Sequence, residues 1–343
     1  MHMHNLKLPT RKIGTVDVGA LGFGGIAIAG GYGSVSEEEA FGVLDAALAA
    51  GCTMLDTADR YGESEAIIGK WMKQNGTRDK VFLATKVGTI IEDGKPGVNG
   101  KPEYIREAVE RCLARLGVDC IDLLYLHRAD AKTPIELTIG AMAEFVKAGK
   151  VKQLGLSEVS ARTLRRAYAI HPIAALQVEY SPFTLDIEHP QLALLDVARQ
   201  LGVTVVAYSP LGRGLLTGRY RSPDDFDEKD HRRVIPKFGA ANFPKILNIV
   251  DTLAALGTDK YNGATSGQMA LAWILAQGQD IIPIPGTKNL KYLAENVAAA
   301  SIELAAEDDA AIRRLAEEAE VTGERYPPGH SQHMYCETVE LAS

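Results

Sequence analysis

The stretch VFLATKVGTIIEDGKPGVNGKPEYIREAVERCLARLGVDCIDLLYLH, residues 81–127, decides the fold. It opens with a short β-type apolar run, VFLATK (81–86), and closes with another, IDLLYLH (121–127). Between them Ile105, Ala108, Val109, Cys112, Leu113 and Leu116 recur at helical spacing. Pro102 starts that helix and Gly117 stops it. Cys112 lies on the apolar stripe and reads as a core residue. The unit is strand–helix–strand, the building block of a parallel sheet.

The same alternation runs outward in both directions. ALGFG (20–24) and TMLD (53–56) precede the unit; VKQLGLS (151–157), AALQVEY (174–180), VTVVAYS (203–209) and IIPIPG (281–286) follow it. Ser36 with Glu39 forms a capping box ahead of a helix carrying Phe41, Leu44 and Leu48, and ESEAIIGKWMKQ (63–74) supplies the next helix. Eight strands alternating with helices predict a closed (β/α)8 TIM barrel, an α/β fold built as a single domain over residues 10–325. A short β-hairpin is expected at its N-terminus, and residues 326–343 are expected to form a mobile C-terminal tail. Long loops are expected after the third strand, at GTIIEDGKPGVNG (88–100), and after the seventh, in a polar stretch from about 215 to 265. An open dinucleotide-binding sheet is the rival. Gly22, Gly24 and Ala27 do spell G-x-G-x-x-A, but the AIAGGYG that follows is too rich in glycine to open a helix.

Composition narrows the function. The chain has 343 residues, with 37 Lys+Arg against 44 Asp+Glu, for a formal charge of −7. A mildly acidic chain has no spare cations for sequence-independent contact with phosphate backbones or anionic membranes, so nucleic-acid and membrane partners are not expected. The apolar run MALAWILA (269–276) falls well short of the roughly 20 residues a membrane helix needs. MHMHNLKLPTRK at the start has basic residues with no apolar run behind them, so no secretory signal is expected. Cys52, Cys112, Cys120 and Cys336 contain no C-x-x-C pair, which suits a reducing, cytoplasmic location.

In a parallel barrel the reactive groups sit where strands end. Those ends hold Asp56, Lys86 and His127, with Tyr61 five residues after Asp56. Any one of them alone is as well explained by a solvated loop. Together they suit protonation of an oxygen. A phenol titrates near 10, but an ammonium about 4 Å away at an effective dielectric of about 20 contributes about 4 kcal/mol, roughly three pKa units. Lys86 is thus expected to pull Tyr61 towards 7, Asp56 to keep Lys86 charged, and His127 to orient a carbonyl oxygen and share the proton relay. No strong nucleophile or metal-ligand spacing is present in the set, so another agent must reduce the carbon, which implies a hydride cofactor.

LDTADRYGESEAIIG (55–69) resembles the D-T-A-x-x-Y-G-x-S-E signature of aldo-keto reductases, ATK (84–86) their lysine strand, and YLHRAD (125–130) their histidine strand. GLSEVS (155–160), LQVEYSPF (176–183), VVAYSPLGRGLLTG (205–218) and IPIPGTKNLKYLAENVAA (282–299) resemble the family's cofactor segments. The resemblance is ordered and spans about residues 10–300. It implies NADPH-dependent reduction of an aldehyde or ketone, with Asp56, Tyr61, Lys86 and His127 as tetrad and Tyr61 as general acid. It also implies a cofactor set of Gly24, Gly25, Asp56, Ser157, Gln177, Tyr208, Ser209, Pro210, Leu211, Arg213, Gly286, Thr287, Lys288, Lys291, Glu295 and Asn296.

The residue types agree. Ser157 and Gln177 carry groups suited to a carboxamide, and Tyr208 has a ring to stack on nicotinamide. SPLGRG (209–214) is a turn of small residues fit to approach a pyrophosphate beside Arg213, and PGTK (285–288) precedes a helix whose Lys288 and Lys291 could meet a 2′-phosphate. For each an ordinary structural role remains open. Ile26, Tyr61, His127 and Arg128 are expected to line the substrate mouth.

Two positions depart from the common pattern: Asn289 stands where many relatives carry a cation, and Glu158 follows Ser157 where they carry Asn. His330, His333 and Cys336 are spaced for a metal, although a tail is the plainer reading. Two alternatives remain: a nucleotide-binding regulatory subunit of the potassium-channel beta type on the same fold, and an unrelated phosphate-binding barrel with Lys86 as Schiff base. The second leaves Tyr61 and SPLGRG without a role, and the lack of an obvious docking segment favours an enzyme over the first.

Overall fold

The computed structural model describes residues 7–30, 33–327 and 331–342. A hairpin of β1 (Thr10–Ile13) and β2 (Val16–Gly19) leads into β3 (Phe23–Gly24), α1 (Glu37–Ala49), β4 (Met54–Asp56), α2 (Ser64–Asn75) and β5 (Phe82–Val87). A second hairpin, β6 (Thr89–Glu92) and β7 (Lys95–Val98), precedes α3 (Pro102–Leu116), β8 (Ile121–Leu126), α4 (Ile135–Lys147), β9 (Val151–Ser157) and α5 (Ala161–Ile170). Then come β10 (Ile173–Glu179), α6 (Leu194–Gln200), β11 (Thr204–Tyr208), α7 (Phe243–Lys260), α8 (Ser266–Ala276), β12 (Ile281–Pro283), α9 (Leu290–Ala298) and α10 (Ala306–Glu318).

Strands β3, β4, β5, β8, β9, β10, β11 and β12 neighbour one another in that order, and every pair is parallel. Gly22 N–H donates to Pro283 O at 3.0 Å and joins the two ends of the sheet. All eight predicted strands are therefore present, and the architecture is the (β/α)8 barrel. No helix among the described residues is long and apolar enough to cross a membrane.

The period of two along each strand sorts side chains into an inner and an outer set. Met54, Phe82, Ala84, Leu123, Tyr125, Ala175, Val206 and Ile282 fill the interior, and Ile13 and Val18 of the first hairpin close it from below. Leu55, Leu83, Leu124, Leu126, Leu154, Leu156, Leu176 and Val205 face the helix layer. The same parity that turns Met54, Ala84, Ala175 and Val206 inward turns Asp56, Lys86, Gln177 and Tyr208 inward, each two residues nearer the C-terminal mouth. Space is tight enough that a Cβ on Gly155 would lie 2.5 Å from the Tyr125 ring.

The helix boundaries follow their sequence signals. Ser36 and Glu39 form the capping box of α1, and Pro102 and left-handed Gly117 bound α3 with all six stripe residues buried. On α1 the buried face is Ala40, Val43, Leu44 and Ala47, with Phe41 and Leu48 at its edge.

Three expectations need correction. Residues 88–100 are largely a hairpin, because Thr89–Glu92 and Lys95–Val98 pair in register around a turn through left-handed Asp93 and Gly94. The supposed long loop from about 215 to 265 contains α7, whose Phe243, Ile246, Ile249, Val250 and Leu253 are buried at helical spacing between polar turns. The described residues after 325, 326–327 and 331–342, are packed and do not form a loose tail. Cys336 bridges to Val159, its N–H donating to Glu158 O at 2.9 Å, while Arg166 donates to Thr338 O and Val339 O at 2.8 and 2.7 Å.

Candidate active site

Asp56 ends β4, Lys86 is the penultimate residue of β5, and His127 directly follows β8. Tyr61 is presented by a tight turn between β4 and α2. That turn is fixed by Thr57 N–H on Ala84 O (2.8 Å), Asp59 N–H on Lys86 O (3.0 Å) and Ser64 N–H on Tyr61 O (2.9 Å). Thr57 Oγ1 donates to Ser64 Oγ at 2.9 Å, and that hydroxyl donates to Gly25 O at 3.1 Å. Glu65, next in the turn, is buried and accepts from Thr85 and Arg115, each at 2.6 Å. The spacing between Asp56 and Tyr61 is thus one well-bonded turn, and Ser64–Glu65 are its anchors.

Lys86 Nζ is ion-paired to Asp56 Oδ1, donates to Thr57 O at 2.8 Å, and lies 4.8 Å from the Tyr61 ring centroid. Gln177 Nε2 donates to the other Asp56 oxygen at 2.7 Å. The Tyr61 and His127 rings meet edge to face with centroids 5.7 Å apart. All four residues of the expected set therefore converge at the mouth. A further member, Thr89 of β6, reaches His127 Nδ1 at 3.4 Å, and its carbonyl accepts from Tyr104 at 3.2 Å. The second hairpin thus holds the histidine ring.

The electrostatics reverse one expectation. Burial raises the Tyr61 phenol above its ordinary value, and the opposing pull of Lys86 does not overcome it. Lys86 is already matched by Asp56, whose negative charge pushes the phenol the same way as burial. Burial works against the charge on Lys86, yet Asp56 and Tyr61 facing it hold its pKa above the ordinary value. His127 is driven well below its ordinary value by burial first, then by Arg128 and Lys86. The histidine is neutral at neutral pH, so it can donate a hydrogen bond but cannot store a proton. The sign for Tyr61 follows. The phenol is protonated below its raised pKa, so its acid form persists through neutrality and is lost only at strongly alkaline pH. The rate of reduction is expected to stay flat from about pH 6 to 9; a single-proton fall centred near 7 would contradict this electrostatic balance.

The expected cofactor residues divide into two groups. Ser157 and Gln177 point inward at the mouth, where Ser157 Oγ accepts from Arg128 at 3.1 Å and Gln177 gives an N–H to Asp56. Ser157 keeps its O–H to donate and Gln177 keeps its carbonyl to accept, the complement of a carboxamide. Ser209, Gly212, Arg213 and Gly214 all have positive φ, so Ser209-Pro210-Leu211-Gly212-Arg213-Gly214 makes a concave turn after β11. Gly24, Gly25 and Gly286 have steric reasons of their own, since a Cβ on Gly24 would come 2.8 Å from Ile284 O and one on Gly286 2.4 Å from Gly24 O. At Gly25 the obstacle is Asp56 O at 2.9 Å.

The other expected cofactor residues have the following surroundings. Tyr208 donates to Glu158 Oε1 at 2.8 Å, and Arg213 lies 3.8 Å from Glu179 with its guanidinium over the Tyr326 ring. Thr287 precedes α9, whose N-cap Asn289 accepts from Lys291 N–H at 2.8 Å. Lys288 Nζ donates to Ser34 O at 2.8 Å, while Lys291 is exposed and 4.0 Å from Glu295. Asn296 is buried.

Among the expected substrate residues, Ile26 is exposed and Arg128 adjoins His127. The segment set aside as a tail contributes directly to the mouth. Tyr326 OH donates to Tyr208 OH at 3.2 Å and accepts from Arg128 at 3.3 Å. Arg325 is buried between Glu158 and Glu179, 3.2 and 3.3 Å away. The only forward signal for these contacts was the unusual Glu158. No metal-holding cluster of His, Cys, Asp and Glu occurs among the described residues, and His330 lies outside them.

At the mouth of a parallel barrel a phenol and an imidazole thus stand beside a buried lysine–carboxylate pair. The chain belongs to the aldo/keto reductase family, whose model matches residues 20–317. It is 62% identical over 326 residues to the aldo-keto reductase str7 of Strobilurus tenacellus, covering 93% of this chain and 95% of that one. It is 48% identical over 337 residues to the aldo-keto reductase yakc [NADP(+)] of Schizosaccharomyces pombe, covering 97% and 98%. Among solved structures, the glycerol dehydrogenase AKR11B4 of Gluconobacter oxydans superposes with a TM-score of 0.82 at 28% identity, covering 94% of this chain and 98% of that one.

Proposed function

We propose that the protein reduces an aldehyde or ketone to an alcohol with NADPH, Tyr61 acting as general acid. The observation that carries this reading is the Tyr61 ring held between Lys86, 4.8 Å from its centroid, and the edge-on His127 ring. NADPH supplies the hydride when bound. Ser157 and Gln177 would hold its carboxamide through the donor and acceptor they retain, Ser209–Gly214 its pyrophosphate, and Lys288 and Lys291 its 2′-phosphate. Neutral His127, with Thr89 on Nδ1, offers its Nε2–H to the carbonyl oxygen and orients it. Tyr61 gives the proton to that oxygen, and charged Lys86 beside it stabilises the phenolate left behind. Asp56 keeps Lys86 charged while Gln177 occupies its second oxygen. In the reverse direction the same phenolate takes the proton back.

The test is consumption of NADPH with a panel of aromatic and aliphatic aldehydes and ketones. Turnover with some of them supports the reading, and none with any of them removes it. The yakc relative carries NADP(+) in its name, and here we expect NADPH to bind at least about fivefold more tightly than NADH. That margin should shrink with salt, which screens over about 8 Å at physiological ionic strength, and shrink again in a Lys288→Ala, Lys291→Ala double variant. Equal affinities in fluorescence titrations at low salt would place the 2′-phosphate elsewhere.

A further inference from the structure

Arg128 is a guanidinium at the catalytic mouth that the protein answers only with neutral oxygens. Its Nη1 donates to His127 O at 2.6 Å and to Ser157 Oγ at 3.1 Å, and its Nη2 donates to Tyr326 OH at 3.3 Å. Among the described residues no carboxylate lies within ion-pair distance of it. The neighbouring charges are committed to one another. Asp56 is paired with Lys86, and buried Glu158 and Glu179 are bridged by Arg325, with Glu158 also accepting from Tyr208. A guanidinium has five N–H groups, and three are used here. The two that remain are the Nε–H and one N–H of Nη2, the nitrogens that form one edge of the plane. That edge is the fork that takes a carboxylate with two parallel hydrogen bonds. Arg106 and Arg166 of this chain use the same edge for Glu144 and Glu136.

Arg128 is half-buried, the nearest carboxylate, Glu158, acts on it only at longer range, and no carboxylate oxygen among the described residues takes its free N–H groups, so an anion brought by the substrate would complete its hydrogen bonding. We propose that Arg128 is a carboxylate-binding subsite and that the preferred substrates are aldehydes or ketones carrying a carboxylate a few bonds from the reacting carbonyl, on the same ring or short chain. Tyr326, reaching in from the C-terminal segment, takes one N–H of Nη2 and holds the guanidinium in place. This rests on the carbonyl-reductase reading above. It goes further by assigning the substrate's charge and the residue that reads it.

The contact is made equally in the bound substrate and in the transition state, so it acts on KM more than on kcat. With NADPH, wild-type protein is expected to favour 3-carboxybenzaldehyde over its methyl ester by about tenfold or more in kcat/KM, through KM. Arg128→Met should bring the two substrates to within about twofold of each other, and Arg128→Lys should keep part of the preference. Because Arg128 also supports Ser157 and the His127 carbonyl, the ratio between the two substrates is the readout and not the absolute rate. A wild-type ratio near one, or a preference that survives Arg128→Met, overturns the subsite. If neither compound is turned over, calorimetric binding of benzoate against benzamide decides it separately from the functional reading. Benzoate binding lost in Arg128→Met upholds the subsite, and equal binding of benzoate and benzamide overturns it.

Discussion

Replacing Tyr61 by phenylalanine is expected to lower the rate of aldehyde reduction by about a hundredfold or more, with NADPH affinity nearly unchanged. The ring, its edge contact with His127 and its place under Lys86 all survive this substitution; only the hydroxyl is lost. The phenol is protonated at neutral pH because burial outweighs Lys86, so in the wild type every molecule has the proton ready. Neutral His127 cannot take over as donor, since burial, Arg128 and Lys86 all disfavour its imidazolium. Steady-state rates with a good aldehyde, paired with fluorescence titration of NADPH, give the two numbers needed. Reduction near the wild-type rate would show that the proton comes from water or from another group.

Arg325→Met is expected to destabilise the protein by about 3–5 kcal/mol, the range for breaking a buried ion pair from one side. The side chain is 8% exposed, and its partners Glu158 and Glu179 are 0% and 1% exposed. Removing the guanidinium leaves buried Glu158 without its ion-pair partner and Glu179 with only Arg213, 3.8 Å away. Glu158→Gln added to Arg325→Met should recover part of the loss, because one of the stranded charges is then gone. Urea unfolding of the wild type, the single and the double variant tests this. A single variant within about 0.5 kcal/mol of wild type would mean that the carboxylates escape to water. Cofactor affinity should fall with stability, since Glu158 follows Ser157 directly.

The ring of strands was legible because each strand is a short apolar run and each intervening helix declares its ends. Pro102, Gly117 and the Ser36–Glu39 box act within one or two turns of chain, where local geometry suffices. The chemical set was legible for a related reason. Asp56, Lys86 and His127 stand at strand ends, and a parallel barrel collects its strand ends at one mouth. Helix α7 was hidden by its surroundings, since its apolar stripe is embedded among short polar turns and does not directly follow a strand. The second hairpin was hidden because Gly-rich, charged residues disguise a register of only four pairs.

By itself, then, the sequence determined the barrel and the convergence of Asp56, Tyr61, Lys86 and His127, for the periodicities of two and 3.6 and the ends of strands are local properties. Tertiary structure alone decided the protonation balance and the far wall of the site. Whether Lys86 or burial governs Tyr61 depends on how much water is excluded and on whether Asp56 neutralises the lysine, neither of which is written in spacing. That Arg325 and Tyr326 close the mouth against Glu158, Tyr208 and Arg128 depends on contacts between residues 118 to 198 positions apart. Their pairing energy is set by burial and becomes available only after the barrel has formed.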